Sequence, residues 1–387
     1  MKKLLVTGST FPRWANDTEP RFILDYAKAM TKYYDVTVLV PGAVGAKEEE
    51  ELEGVHVIRY HYFPIHKFET LCYPGAIVPR IKQKKIRILL VPFLLLSLHH
   101  QLKKRSKEFD VVHAHWLIPQ GIMQMSVKDT PYIVTGHGGD VTSLNKGILK
   151  SMKLKCLERA KAITVVSDAL QDYVKQLYPN QKTSIIPMGC DVSRFSSEHR
   201  KENFFGQGDR KVVLFVGRLA EKKGVTYLID AMKKVDNAVL VIVGKGDLEP
   251  GLRQQAKALG DKVVFAGPKT HDELPEIYAS ADVFVAPSVT AADGDKEGFG
   301  LVILEAMASG VPVVASRSGG IVDIVKDEEN GLLCDEKDVE KLSVNISRVL
   351  EDEALSAKLK TAAGHTVEQY SYDNISRRYN DILSGIL

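Results

Sequence analysis

The 387-residue chain carries only four cysteines, Cys72, Cys156, Cys190 and Cys334. They lie far apart, so no pair has metal-ligand spacing and no disulfide framework can be read from them. A reducing, cytoplasmic setting fits such a chain, at most at the inner face of a membrane. An excess of one charge is also missing. Fifty-two Lys and Arg stand against 49 Asp and Glu, a formal charge of +3, and bulk charge therefore marks no nucleic-acid binder. The opening MKKLLVTGST has an apolar run too short for a signal sequence and reads as a first β-strand. No repeat of solenoid length is visible. With 44% hydrophobic and 26% charged residues, the chain can bury ordinary globular cores, and its length favours two domains.

One segment departs from this picture. Residues 82–105, KQKKIRILLVPFLLLSLHHQLKKR, hold an apolar centre between two basic clusters. That centre is shorter than the roughly 20 residues of a spanning helix, and Pro92 interrupts it. The readings are a buried helix with charged ends, a surface that rests on anionic lipid, and a spanning helix.

Elsewhere short Val/Ile/Leu runs alternate with helical patterns. Strands are expected at 4–9, 36–40, 55–60, 111–115, 132–137 and 162–167, with a helix near Arg21–Tyr34. A second series follows at 212–217, 238–244, 263–267, 283–288 and 311–316. Near-continuous apolar strands between helices predict parallel sheets covered on both faces. A polar stretch, 193–210, separates the two series. The prediction is α/β, two doubly wound domains facing across a cleft: 1–190 and 191–370, with a helix near 371–387 packing back onto the first. Ligands of such sheets bind at the carboxyl ends of the strands.

After the strand VVLFVG comes Arg218, then Lys222, Lys223 and Gly224. Cations opening a helix directly after a strand suit a diphosphate; a solvated charged turn is the plainer alternative. After VFVAPS comes an acidic loop ending at Glu297, then FGLVILEAMASG with Glu305. If both were helical, these carboxylates would stand about 12 Å apart along the axis. That is too far for one acid–base pair and suits the two ends of an extended ligand such as a nucleotide sugar. Amides near Phe299–Leu301 could face the phosphates. Glu305 lies among apolar neighbours and needs a partner there, which ribose hydroxyls would supply.

GRLAEKKG followed by EGFGLVILEAMASGVPVV resembles the retaining glycosyltransferases of family 4 (glycosyl transferases group 1), which have the GT-B fold of two Rossmann-like domains. VVFAGPKTHDELPEIYASADVFVAPS, SGGIVDIVKDEENGLL and IIPMGCDVSRF extend the likeness over nearly the whole chain. The resemblance implies transfer of a hexose from a nucleoside-diphosphate sugar, uridine diphosphate first and GDP-mannose second, to a glycan, glycolipid or lipid-linked acceptor, with retained configuration. It implies an acceptor-binding first domain and a donor-binding second one. Arg218 and Lys223 would hold the diphosphate, Glu297 the sugar hydroxyls and Glu305 the ribose. Gly267, Gly298, Phe299, Gly300 and Leu301 would line the donor. His137 would lie near the sugar, and Arg13, Trp14, His115 and Asp140 on the acceptor side. No cofactor or metal is called for.

Two departures from the family pattern stand out. The N-terminal loop reads WANDTEPRF in place of the usual glycine pair, and Asp323 replaces a frequent Glu. Of the strand-end histidines, His113 is expected to point inward and His115 into the cleft. Asp293-Gly-Asp295 resembles the metal-binding Asp-x-Asp of a different glycosyltransferase fold, but it reads better as a solvated loop. No carboxylate nucleophile stands out, so attack from the face of the departing phosphate is expected. A phosphorylase or a non-catalytic nucleotide-sugar sensor are the competing readings.

Overall fold

A computed structural model describes residues 1–180 and 182–387, which form two compact units. The first comprises Met1–Gly189 with Tyr372–Leu387, the second Cys190–Ser371.

The first unit holds β1 (Lys3–Thr7), β2 (Asp35–Pro41), β3 (Glu49–Leu52), β4 (Val55–Tyr60), β5 (Val111–His115), β6 (Tyr132–Gly136), β7 (Ala162–Val165) and β8 (Ser184–Ile185). They form one sheet in the order β3-β4-β2-β1-β5-β6-β7-β8. All pairings are parallel except β3 with β4. The central strands are buried on both faces: Leu4, Leu5, Val6, Val111, Val112 and Ile133 are fully inaccessible. Each such side chain contributes about 1.5–3 kcal/mol relative to exposure. The helix Phe22–Met30 covers one face with Ile23, Leu24, Ala27 and Met30.

The last helix, Tyr372–Ser384, belongs to this sheet although it ends the chain. Ile375, Tyr379 and Leu383 recur at four-residue spacing and are fully buried, the stripe expected of a helix on a sheet. The Tyr379 hydroxyl donates to the carbonyl of Ile186 at 3.3 Å.

The second unit is a six-stranded, wholly parallel sheet. Its strands are β9 (Lys211–Val216), β10 (Ala238–Val243), β11 (Val263–Gly267), β12 (Val283–Ala286), β13 (Val313–Ser316) and β14 (Leu332–Cys334). The order is β11-β10-β9-β12-β13-β14, and the core gathers Val213, Leu240, Ile242, Val283, Val285 and Val314.

Both sheets reverse winding direction once, at β1/β5 in the first and at β9/β12 in the second. The residues leaving the carboxyl ends of those four strands are Gly8, Trp116, Gly217 and Pro287. In an open α/β sheet, such a switch point leaves a crevice that no crossover covers.

The segment 82–105 is not the buried helix that one of its readings expects. Lys85–Glu108 is helical over 24 residues, long and apolar enough by composition to cross a membrane, and only 17% of its apolar window is buried. Within it the helix Val91–Arg105 buries Leu94, Leu98 and Leu102 alone. It is neither a core helix nor short of spanning length. It lies on the first unit with one thin stripe inward.

Candidate functional site

At the β9/β12 switch, backbone contacts are unusually close. Gly217, Gly244 and Gly267 end three adjacent strands, all with positive φ. A Cβ on Gly244 would stand 1.9 Å from the carbonyl oxygen of Gly217, so only glycine permits the approach. Gly224 opens the helix Val225–Ala231 at φ 65°, and a Cβ there would stand 1.8 Å from the Pro287 carbonyl oxygen. These glycines hold the turn 217–224 against the end of β12.

Arg218 projects from that turn, exposed and without a side-chain hydrogen-bond or ion-pair partner among the described residues. Lys223 and Glu297, expected on different parts of a donor, are in direct contact: Nζ to Oε2 is 2.5 Å, and both side chains are less than one-fifth exposed. Burial alone would raise the pKa of Glu297. The charges of Lys223 and Lys222, the Lys223 hydrogen bond and the Gly298 N–H together lower it to about 2. The group is a carboxylate at every working pH. Glu297 lies outside the helix Leu301–Ala308, so the 12 Å helical separation from Glu305 does not apply.

The acidic loop is exposed at Ala292, Asp293, Gly294 and Lys296, as expected of a solvated loop, and is also tied down. Lys222 pairs with Asp295 at 3.0 Å and donates to the Lys296 carbonyl at 3.2 Å. Glu221 accepts from the Ala292 N–H, and Glu336 from the N–H and hydroxyl of Thr290. No group of three His, Cys, Asp or Glu among the described residues is placed to hold a metal ion. The loop's last residue feeds Gly298, buried Phe299 and Gly300, whose φ of 106° turns the chain into the helix Leu301–Ala308. The first amides of that helix have no intrahelical acceptor and carry its positive dipole end. Lys223, Ser288, Glu297 and Gly300 line a recess beside them. Glu305, half-buried one turn on, accepts a hydrogen bond from Tyr278 at 2.7 Å. The expected need for a partner is thus met in part from within the protein. Nothing in the sequence around Tyr278 marks it as that partner. Gly267, φ 71°, ends β11, which two strands separate from β12.

In the first unit the switch-point side chains form a chain of imidazoles. His113 and His115 alternate by two along β5 and therefore share a face; both are fully buried. This corrects the expectation that separates them. His113 bonds Tyr26 through Nδ1 and Thr135 through Nε2, each at 2.6 Å. His115 Nδ1 lies 3.0 Å from His137 Nε2, and its own buried Nε2 has no partner among the described residues. An unpaired buried N–H costs more than an unpaired lone pair. The proton therefore sits on His115 Nδ1 and is donated to His137, whose own proton is left on Nδ1. Desolvation lowers His137 to about 3 and His115 well below its ordinary value. All three rings are neutral at pH 7.

Asp140, expected on the acceptor side, clamps the backbone around it. Its Oδ1 accepts from the N–H groups of His137 and Gly138, and its Oδ2 from that of Leu117. Lys153, which the sequence reading passes over, is fully buried in the helix Gly147–Arg159. It donates to the carbonyls of Val141 and Ser143 and to Asn145 Oδ1, and burial lowers its pKa to about 8. Trp116 joins the site by a strained backbone, φ 75°, with its ring 5.0 Å from that of His137. Such strain persists only where surroundings enforce it and is typical of ligand sites; no sequence signal gives it.

Arg13 and Trp14 lie in the loop after β1. Arg13 pairs with Asp17 at 2.6 Å and stacks on Trp14 at 4.3 Å. Buried Arg21 pairs with Glu53 and Asp25. Ion pairs thus fix this loop, which lacks the family's glycine pair.

The description "Glycosyl transferases group 1" matches residues 195–366, and "Glycosyltransferase Family 4" matches 20–194. An uncharacterized glycosyltransferase of Methanocaldococcus jannaschii is 37% identical over 70% of this chain and 74% of its own. A GDP-mannose-dependent alpha-(1-6)-phosphatidylinositol monomannoside mannosyltransferase of Mycobacterium tuberculosis is 32% identical over 65% of this chain and 69% of its own. The structure of Anabaena HepE in complex with UDP and glucose superposes with a TM-score of 0.77 at 22% identity, covering 99% of this chain and 100% of that one. The arrangement of two switch points on two parallel sheets is that of the GT-B fold, and the chain belongs to glycosyltransferase family 4.

Proposed function

We propose that this glycosyltransferase moves a hexose from a nucleoside-diphosphate hexose to a hydroxyl of a glycan, glycolipid or lipid-linked acceptor, without a metal and with retained anomeric configuration. The observation that carries the donor reading is Arg218, a cation left without a partner among the described residues at the switch point of the second sheet. The first amides of the helix Leu301–Ala308 follow the same crevice.

The chemistry is departure of a nucleoside diphosphate from the anomeric carbon. Negative charge grows on the leaving oxygen and is met by Arg218, Lys223 and helix amides already in place. Glu297, held ionised by Lys223, accepts hydrogen bonds from sugar hydroxyls and cannot serve as an acid. Glu305, fixed by Tyr278, holds the ribose. His137, a neutral donor through Nδ1, supports the sugar without carrying charge. The acceptor attacks from the face the phosphate leaves, and the phosphate takes its proton.

For the donor, the mannosyltransferase relative at 32% identity weighs more than a 22% structural likeness, which speaks for the fold alone. GDP-mannose therefore moves ahead of a uridine diphosphate hexose, and a lipid-linked acceptor is favoured. Thermal unfolding with each nucleotide sugar tests this directly. A ligand of the native state at 100 times its Kd adds about 2.7 kcal/mol, a shift of a few degrees. Protection by GDP-mannose supports the reading; protection by UDP-glucose alone reverses the donor; no protection by any nucleotide sugar sinks it.

A further inference from the structure

Between Pro64 and Arg105 the sequence holds nine Lys and Arg and a single acid, Glu69. That acid is buried, accepting from the N–H groups of Tyr62 and Phe63, so the outward charge of this stretch is positive throughout. The same stretch carries exposed large apolar side chains: Phe68 at 50%, Ile86 at 72%, Leu89 at 65% and Leu96 at 68% exposure, with Ile88 and Phe93 between them.

These residues share one surface. The rings of Phe63 and Phe93 meet edge to face at 5.0 Å. Arg87 donates to the Thr70 hydroxyl, Arg80 to the Thr70 carbonyl, and Ser97 to the His61 carbonyl. The short helix His66–Phe68 is thereby joined to the helical run 85–105 in one face of the first unit. Leu94, Leu98 and Leu102 anchor that run inward, while Ile86, Ile88, Leu89, Phe93 and Leu96 stay exposed. A monomeric soluble protein seldom exposes so many contiguous large apolar groups without a partner.

We infer that this face docks on a lipid bilayer bearing anionic headgroups. The apolar residues enter the acyl boundary, while Lys67, Lys82, Lys84 and Lys85, with Lys103 and Lys104 at the far end, meet the headgroups. Charge decides among occupants. A second copy of this face would bring two sets of the same nine basic side chains together, and like-charge juxtaposition opposes that. A negatively charged bilayer meets both the apolar and the basic components. The inference rests on the proposed function only in its purpose: a lipid-linked acceptor stays in the bilayer, and an enzyme resting there meets it without extracting it.

The test uses the full chain without donor. Sedimentation with phosphatidylglycerol vesicles should bring the protein down, and phosphatidylcholine vesicles should bring down at least tenfold less. Each basic residue near such a surface contributes roughly fivefold in partition. The triple variant Lys82→Gln, Lys84→Gln, Lys85→Gln should therefore bind on the order of 100-fold more weakly, and 1 M salt should release the wild type. Ile86→Ser with Leu89→Ser should weaken binding by about tenfold or more, with an unchanged unfolding midpoint because both side chains already face solvent. No vesicle binding, equal binding to both lipids, or binding indifferent to the lysines and to salt would overturn the inference. So would sedimentation equilibrium showing a dimer that Leu89→Ser dissolves. Nucleotide-sugar protection of the same variants separates the two readings. Vesicle binding lost with donor protection kept is the expected result for the variants. Donor protection absent from a wild type that still binds vesicles removes the function and leaves the surface.

Discussion

At the residue scale the ion pair of Lys223 and Glu297 changes what a single substitution can report. Lys223→Ala takes the contacting cation from a mostly buried carboxylate and leaves it the Gly298 N–H and the charge of Lys222. Breaking such a pair from one side costs about 3–5 kcal/mol, the lower end being apt because neither side chain is wholly dry. Urea unfolding should show that loss, and Lys223→Gln with Glu297→Gln should recover most of it. Arg218→Ala is the cleaner probe of the diphosphate: an exposed side chain without a partner among the described residues removes no native contact. Its turnover should fall on the order of 10²–10³-fold with the unfolding midpoint unchanged. Near-normal turnover would take Arg218 out of the site. Glu305 is the opposite case: its spacing in an apolar helix was enough to single it out, whereas its bond to Tyr278 depends on two segments 27 residues apart.

At the scale of elements, the site depends on turns held from behind. Lys153 supports three acceptors in the loop that follows His137. In Lys153→Met the Ser143 carbonyl and Asn145 Oδ1 lose that donor, at about 1–3 kcal/mol each when buried, the Val141 carbonyl keeps only its bond from Asn145 Nδ2, and the loop 138–145 loses its inner tether. Amide exchange there should rise while exchange in β10 stays as it was; unchanged exchange at 138–145 would remove Lys153 from this role. Gly224→Ala asks the same of the second unit. A Cβ 1.8 Å from the Pro287 oxygen at positive φ should cost about 3 kcal/mol, measured as a lower urea midpoint. The strands that the sequence displays are those with apolar runs. β3, with three consecutive glutamates, escapes notice because an antiparallel edge strand needs no apolar face, and its charges guard the edge. β8 and β14 are only two and three residues long, too short for any periodicity to show.

For the whole molecule, three desolvated histidines, two of them fully buried, set the acid limit. His113, His115 and His137 are all held below the ordinary value of 6.5. Below pH 6.5 the unfolded chain takes up protons that the folded chain refuses. Stability is therefore full above that pH and declines as pH falls toward the folded pKa values, by about 1.4 kcal/mol per pH unit for each histidine. Unfolding free energies between pH 7 and 5 should show a steep slope, and His113→Gln should lessen it by about one proton's worth. A flat profile would mean that these rings titrate normally in the folded state. The C-terminal helix acts at this scale too: with Ile375, Tyr379 and Leu383 fully buried, deletion of 372–387 should unfold the first unit, seen as loss of cooperative melting.

The sequence by itself determined the two parallel sheets, the family and the positions after each strand where ligand-binding groups stand. Apolar periodicity and glycine placement are local quantities, and they can be read without knowing what lies opposite. Only tertiary structure decided the partners. Lys223 meets Glu297 across 74 residues, His115 meets His137 across 22, and Asp140 is occupied by three backbone amides. Pairing, desolvation and proton position depend on which groups face each other through the fold. Those quantities make Glu297 a fixed carboxylate and His137 a neutral donor.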